Sequence, residues 1–181
     1  MNTGLARTLT TCGSNQRARG FTLIELLTTV TVMAVALAIA APNLAAFVRS
    51  SKVRSAQSEL VASMMLARSE AAKRGATVAL AATAPTTGDE FSGGWKVWVD
   101  DNGNGALDPG ETLIRNYPGY APGAVVMSTT GSVRRVSFEP TGFASASVNF
   151  KVCGNSDTTK GFSVVLQRVG LADVSQGVTC P

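Results

Sequence analysis

Apolar and polar positions divide this chain into unlike parts. Residues 1–20 are polar and basic, with Arg7, Arg17 and Arg19 and no apolar period. Residues 21–41 are apolar apart from four threonines and a single charge, Glu25. As a helix they extend about 31 Å, close to the hydrocarbon thickness of a bilayer. Thr28, Thr29 and Thr31 need not oppose insertion, because each hydroxyl can donate to a carbonyl one turn back. Past Pro42 the pattern turns amphipathic. Leu44, Phe47, Val48, Val53, Ala56, Leu60, Met64, Ala67 and Ala71 recur mostly at steps of three or four. Arg49, Lys52, Arg68, Lys73 and Arg74 fall on other faces. Gly75 is a helix stop signal. Pro42 lacks an N–H and crowds the turn before it, so a kink or local melting is expected within one long helix.

After Gly75 the period changes to that of strands. Short apolar or alternating runs cover Thr77–Ala82, Gly94–Val99, Thr112–Asn116, Ala124–Ser128, Val133–Phe138, Ser147–Val152 and Phe162–Arg168. Gly, Pro, Asn and Asp separate them. The connections are too short for crossover helices, so the strands should pair antiparallel. The expected class is α+β: a long N-terminal helix laid on a small antiparallel β-sheet or two-sheet domain.

Composition narrows the chemistry. The formal charge is +4, but without Arg7, Arg17 and Arg19 the remainder carries 13 basic against 12 acidic side chains. Basicity is therefore weak support for a nucleic-acid partner. The chain has no histidine, which removes Ser-His-Asp and Cys-His catalysis and histidine metal ligands. Cys153 and Cys180 are too far apart for a C-x-x-C site, and no glycine loop opens a helix as a phosphate cradle. Enzyme activity is not expected.

Glu25 calls for a use. A carboxylate in a membrane segment costs roughly 2.5–3.5 kcal/mol near the helix centre, and less toward an end. The run Arg19-Gly20-Phe21-Thr22-Leu23-Ile24-Glu25 resembles the processing site of type IV prepilins and pseudopilins. The resemblance implies cleavage after Gly20 by prepilin peptidase and N-methylation of the new terminal Phe21. It further implies that Glu25 pairs with the terminal amine of a neighbouring subunit during filament assembly. Leu66-Ala67-Arg68-Ser69-Glu70-Ala71-Ala72-Lys73-Arg74-Gly75 resembles the helix end of the GspH/FimT family of minor pilins and pseudopilins. So do Gly94-Trp95-Lys96-Val97-Trp98-Val99-Asp100, Phe138-Glu139-Pro140-Thr141-Gly142 and the two late cysteines.

The layout implied is a leader at 1–20, a transmembrane and filament-core helix at 21–41, its amphipathic continuation at 42–75 and a β-rich periplasmic domain at 76–181. The implied setting is a single pass of the bacterial inner membrane, leader inside. Basic residues flank both ends of the segment, so charge alone does not orient it. The implied partners are other minor and major pilins or pseudopilins, prepilin peptidase and the inner-membrane assembly platform. The function implied is that of a non-enzymatic minor pilin in the tip or initiating complex of a type IV pilus, with a type II secretion pseudopilin as the alternative. A plain secretory signal peptide competes with both, since Ala38-Ile39-Ala40 fits an A-x-A cleavage site. Glu25 and the continuing helix stand against it.

Three further features follow. An even cysteine pair in an exported domain favours a Cys153–Cys180 disulfide over two buried thiols, and the pair resembles pilus minor pilins of the FimT/FimU kind more than secretion pseudopilins. Asp100–Glu111 fits the 12-residue calcium template, with Asp100, Asn102, Asn104, the Ala106 carbonyl, Asp108 and Glu111 as oxygen ligands. The competing reading of that segment is a solvated hairpin loop of turn formers, with no cofactor. Lastly, some FimT-like pilins bind DNA through a Gly-Arg-x-Arg turn, where this chain reads Gly170-Leu171-Ala172-Asp173. Arg134, Arg135, Lys151, Lys160 and Arg168 could form a replacement patch, although scattered surface charge is the default.

Overall fold

The computed structural model describes residues 20–83, 88–154 and 161–180. Residues 1–19 of the predicted leader and Lys160 lie outside the described residues. One helix, α1, runs from Leu23 to Arg74. Thr22 caps it: its Oγ1 accepts the Glu25 N–H at 3.2 Å, satisfying one of the first-turn donors. Thr28, Thr29 and Thr31 donate back to the carbonyls of Glu25, Leu26 and Leu27 at 3.0, 2.9 and 2.7 Å, which internalises their polarity. The backbone stays helical across Pro42, so the local melting that was one expected outcome there does not occur. Gly75 ends the helix with φ 63°, its N–H bonded to the Ala71 carbonyl at 3.0 Å. The chain forms two compact units, Met1–Pro42 and Asn43–Pro181.

Among the described residues the second unit holds eight strands: β1 Val78–Ala82, β2 Gly94–Val99, β3 Leu113–Pro118, β4 Val126–Thr129, β5 Arg135–Phe138, β6 Val148–Cys153, β7 Gly161–Leu166 and β8 Ala172–Val178. They make two four-stranded sheets, ordered β3-β2-β1-β5 and β4-β6-β7-β8. Every pairing is antiparallel, as the short connections require. Seven strands lie within one or two residues of the expected runs. β8 was not expected. Among the described residues it pairs only with β7, at a sheet edge, and five of its seven residues are exposed, so it has no buried face to mark it in the sequence.

Both sheets and the helix share one core. Val53, Ala56, Leu60, Met64, Ala67 and Ala71 of α1 join Val78, Leu80, Trp95, Val97, Val136 and Phe138 of the first sheet and Met127, Phe150, Val152, Val164 and Leu166 of the second. The helix stripe is therefore shorter than expected. Leu44, Phe47 and Val48 continue its period but are exposed, because the buried core begins only at Val53. Phe91, in the β1–β2 connection, meets Phe150 edge-on with ring centroids 5.2 Å apart, and so joins the two sheets.

That connection is also fastened to β4 by the buried Glu90 and Ser92 and the part-buried Asp89. The Glu90 carboxylate accepts N–H bonds from Gly88 at 3.0 Å and Thr129 at 2.9 Å, and Asp89 Oδ1 and Ser92 Oγ both accept from Met127. Burial alone would raise the Glu90 carboxyl, but the backbone donors outweigh it and hold the group below its ordinary pKa.

Candidate functional site

Gly20 and Phe21 precede the first helical turn, and Phe21 is 82% exposed. Among the described residues, nothing lies within 4 Å of the place a Gly20 side chain would occupy. Glu25 sits one turn in, also exposed. Around it Leu23, Ile24, Leu26, Leu27, Val30 and Val32 are all exposed. The most apolar 18-residue window of α1 has a mean hydropathy of 2.2 and is wholly unburied within the chain. So large a bare apolar surface is stable only against lipid or other chains.

Cys153 and Cys180 are joined in a disulfide with their Cα atoms 5.9 Å apart. The bond ties the C-terminal segment after β8 back to the end of β6. Gly161 opens β7 directly against it, and a Cβ there would lie 2.5 Å from Cys180 Sγ and 2.9 Å from Cys153 Sγ. No larger residue fits without moving the bridge.

The segment Asp100–Glu111 forms the β2–β3 connection and is flanked by strands. Its polar groups bond mainly to one another. Asn102 and Asn104 send their Nδ2 groups to Asp108 Oδ2 at 2.8 and 2.6 Å, while their Oδ1 atoms accept the N–H groups of Asn104 and Ala106. Glu111 accepts N–H bonds from Asp101 at 3.1 Å and Asp108 at 2.9 Å, closing the loop end to end. The two amides hold the Asp108 carboxyl below its usual range. Among the described residues, no three carboxylate or thiol groups converge as a ready-made metal cluster.

The basic residues singled out for DNA are spread over the fold. Arg134 and Arg135 are exposed at β5, the edge of the first sheet, and Arg135 Nη1 donates to the Asn104 carbonyl at 3.2 Å. Lys151 lies on β6, inside the second sheet, and Arg168 in the β7–β8 turn. At that turn Gly170 has φ 75°, and Asp173 accepts a hydrogen bond from Gln167.

Two ties from the helix to the domain were not expected. Arg68 Nε donates to the Gly142 carbonyl at 3.1 Å, and the Tyr120 hydroxyl donates to Glu59. Burial and the Glu59 bond together raise the Tyr120 hydroxyl far above its ordinary pKa, so it stays a donor.

Residues 56–170, more than half of the chain, match the family model described as Type II transport protein GspH. The chain belongs to the GspH family. Residues 15–41 match the prokaryotic N-terminal methylation motif, which brackets Gly20, Phe21 and Glu25. No curated protein sequence matches significantly. Two crystal structures of the type IV minor pilin FimU of Pseudomonas aeruginosa strain PAO1 share the fold. The form in space group P21 has a TM-score of 0.59 at 20% identity, covering 75% of this chain and 99% of that one. The form in P65 has a TM-score of 0.56 at 20% identity, covering 71% and 99%. This GspH-family protein thus carries an N-terminal methylation motif, an apolar N-terminal helix and a β-domain closed by a disulfide, in the fold seen in FimU.

Proposed function

We propose that this protein is a non-enzymatic minor subunit of a type IV pilus. It enters the inner membrane with the leader inside, is cleaved between Gly20 and Phe21 and methylated at Phe21, and joins the tip or initiating complex with its β-domain outward. The carrying observation is the bare apolar helix with one carboxylate, Glu25, in its first turn. In lipid that charge is a cost. In a bundle of such helices it meets a neighbour's terminal amine and becomes a paired contact. The disulfide and the likeness to FimU support a pilus as the filament.

The family description, type II transport, favours a second reading: a pseudopilin of a secretion machine with the same anchor. Deleting the gene in its native host separates the two. A minor pilin is expected to co-sediment with sheared pili, and its loss should cut surface piliation while leaving protein secretion intact. Normal piliation with exoproteins trapped in the periplasm would instead make it a pseudopilin.

A further inference from the structure

We propose that the β2–β3 loop binds one Ca²⁺ ion through Asp100, Asn102, Asn104, the Ala106 carbonyl, Asp108 and Glu111. The spacing supplies oxygens at the first, third, fifth, seventh, ninth and twelfth positions of the loop, with Gly105 at the sixth. Gly105 has φ 73°, the turn such a loop needs, and the Arg135 guanidinium occupies the space where its Cβ would be. Spacing alone would equally suit a solvated hairpin.

An independent observation comes from Asp100. It is 5% exposed, and its Oδ1 has no hydrogen-bond partner among the described residues. Its N–H donates to the Thr77 carbonyl at 2.9 Å, so it continues the β2 register. Strand alternation then puts its side chain on the face of Lys96 and Trp98, away from the core face of Trp95, Val97 and Val99. The loop folds over that same face, where Gly105, Ala106 and Leu107 line a recess together with Lys96 and Trp98. Asp100 therefore lies on the sheet face that the loop covers. A buried carboxylate oxygen without a donor is costly. Among the described residues no ion pair to Asp100 is present, and Arg135 is directed to the Asn104 carbonyl.

The three carboxylates do not converge as they stand, so an ion would have to gather them. Two amide N–H groups converge on a single oxygen of Asp108, doing what a cation would do more strongly. Each amide oxygen already holds one backbone N–H and keeps a second lone pair for an ion. Binding would draw Asp100, Asp108 and Glu111 inward around the metal, replacing the amide-to-Asp108 bonds. Three carboxylates, two amides and one carbonyl make six oxygens, the lower end of the range calcium accepts. With neutral asparagines at two positions, the affinity belongs with extracellular modules, about 10⁻⁴–10⁻³ M.

The test uses the full-length protein in detergent, stripped with a chelator and titrated with Tb³⁺ as a luminescent calcium mimic. Trp98 lies in the recess beneath the loop and can sensitise the ion. The expected result is saturable emission that Ca²⁺ displaces and Mg²⁺ at the same concentration does not. Asp100→Asn and Glu111→Gln should each weaken calcium competition by roughly tenfold or more, as expected for loss of a charged ligand. In chelator, Asp100→Asn should melt no lower than the parent chain, because it removes an unpaired buried charge. Absence of saturable emission would overturn the proposal, as would calcium competition unchanged in both variants or an Asp100→Asn chain destabilised without metal.

Discussion

Replacing Glu25 by valine is expected to leave membrane insertion and leader cleavage intact and to remove the protein from filaments. The substitution makes the apolar segment easier to place in lipid, so the amount of protein in the inner membrane should hold or rise. In the filament it leaves a neighbour's terminal ammonium buried without a counter-charge, a loss on the order of 3–5 kcal/mol for a broken buried pair. That corresponds to more than roughly a hundredfold in the pairing equilibrium. Immunoblots of sheared filaments and of membrane fractions measure both halves. Parent-like recovery of the variant in filaments would remove Glu25 from assembly. Glu25→Asp tests reach, since it keeps the charge on a side chain one methylene shorter.

Losing the Cys153–Cys180 bond is expected to have the largest effect on stability. The bond closes a loop with a sequence separation of 27 residues. Chain entropy for such a loop gives roughly 3–4 kcal/mol. For a domain of this size the melting temperature should fall on the order of 10 °C. The loss should be felt first at β8, an exposed edge strand paired only with β7. Exchanging both cysteines for serine avoids a stray thiol. Thermal melts with amide exchange resolved by strand then report the size and the place of the change. An unchanged melting temperature together with unchanged β8 protection would show that the bridge constrains nothing the sheet does not already hold.

What was legible in the sequence follows from where side chains end up. One charge in a membrane-length apolar run marked the anchor, and its threonines bond one turn back as their positions allow. The helix stripe from Val53 to Ala71 was readable because it meets two sheets, so each turn had to supply an apolar residue. Leu44, Phe47 and Val48 continue the same period beyond the buried core and are exposed. Periodicity records that a face will be covered, not by which surface.

β8 was missed for the opposite reason: an exposed edge strand has no buried face to leave an imprint on the sequence. The stitching of Glu90 and Ser92 to β4 was also illegible. Their partners are backbone N–H groups 35 to 39 positions away, which no side-chain pattern announces. Within the candidate site, Gly20, Phe21 and Glu25 could be named because the methylation motif is a short local run of residues. The orphan oxygen of Asp100 could not be foreseen, since it arises only when the loop folds back over the outer face of the sheet.

Intact-mass and N-terminal analysis of the protein recovered from its native host tests the central claim most directly. The expected product begins at Phe21, bears one methyl group on its amine, and retains Glu25 and the whole apolar segment. A product beginning at Ala41, after Ala38-Ile39-Ala40, would mean that the segment is a signal peptide, and would contradict the assignment of the chain as a filament subunit.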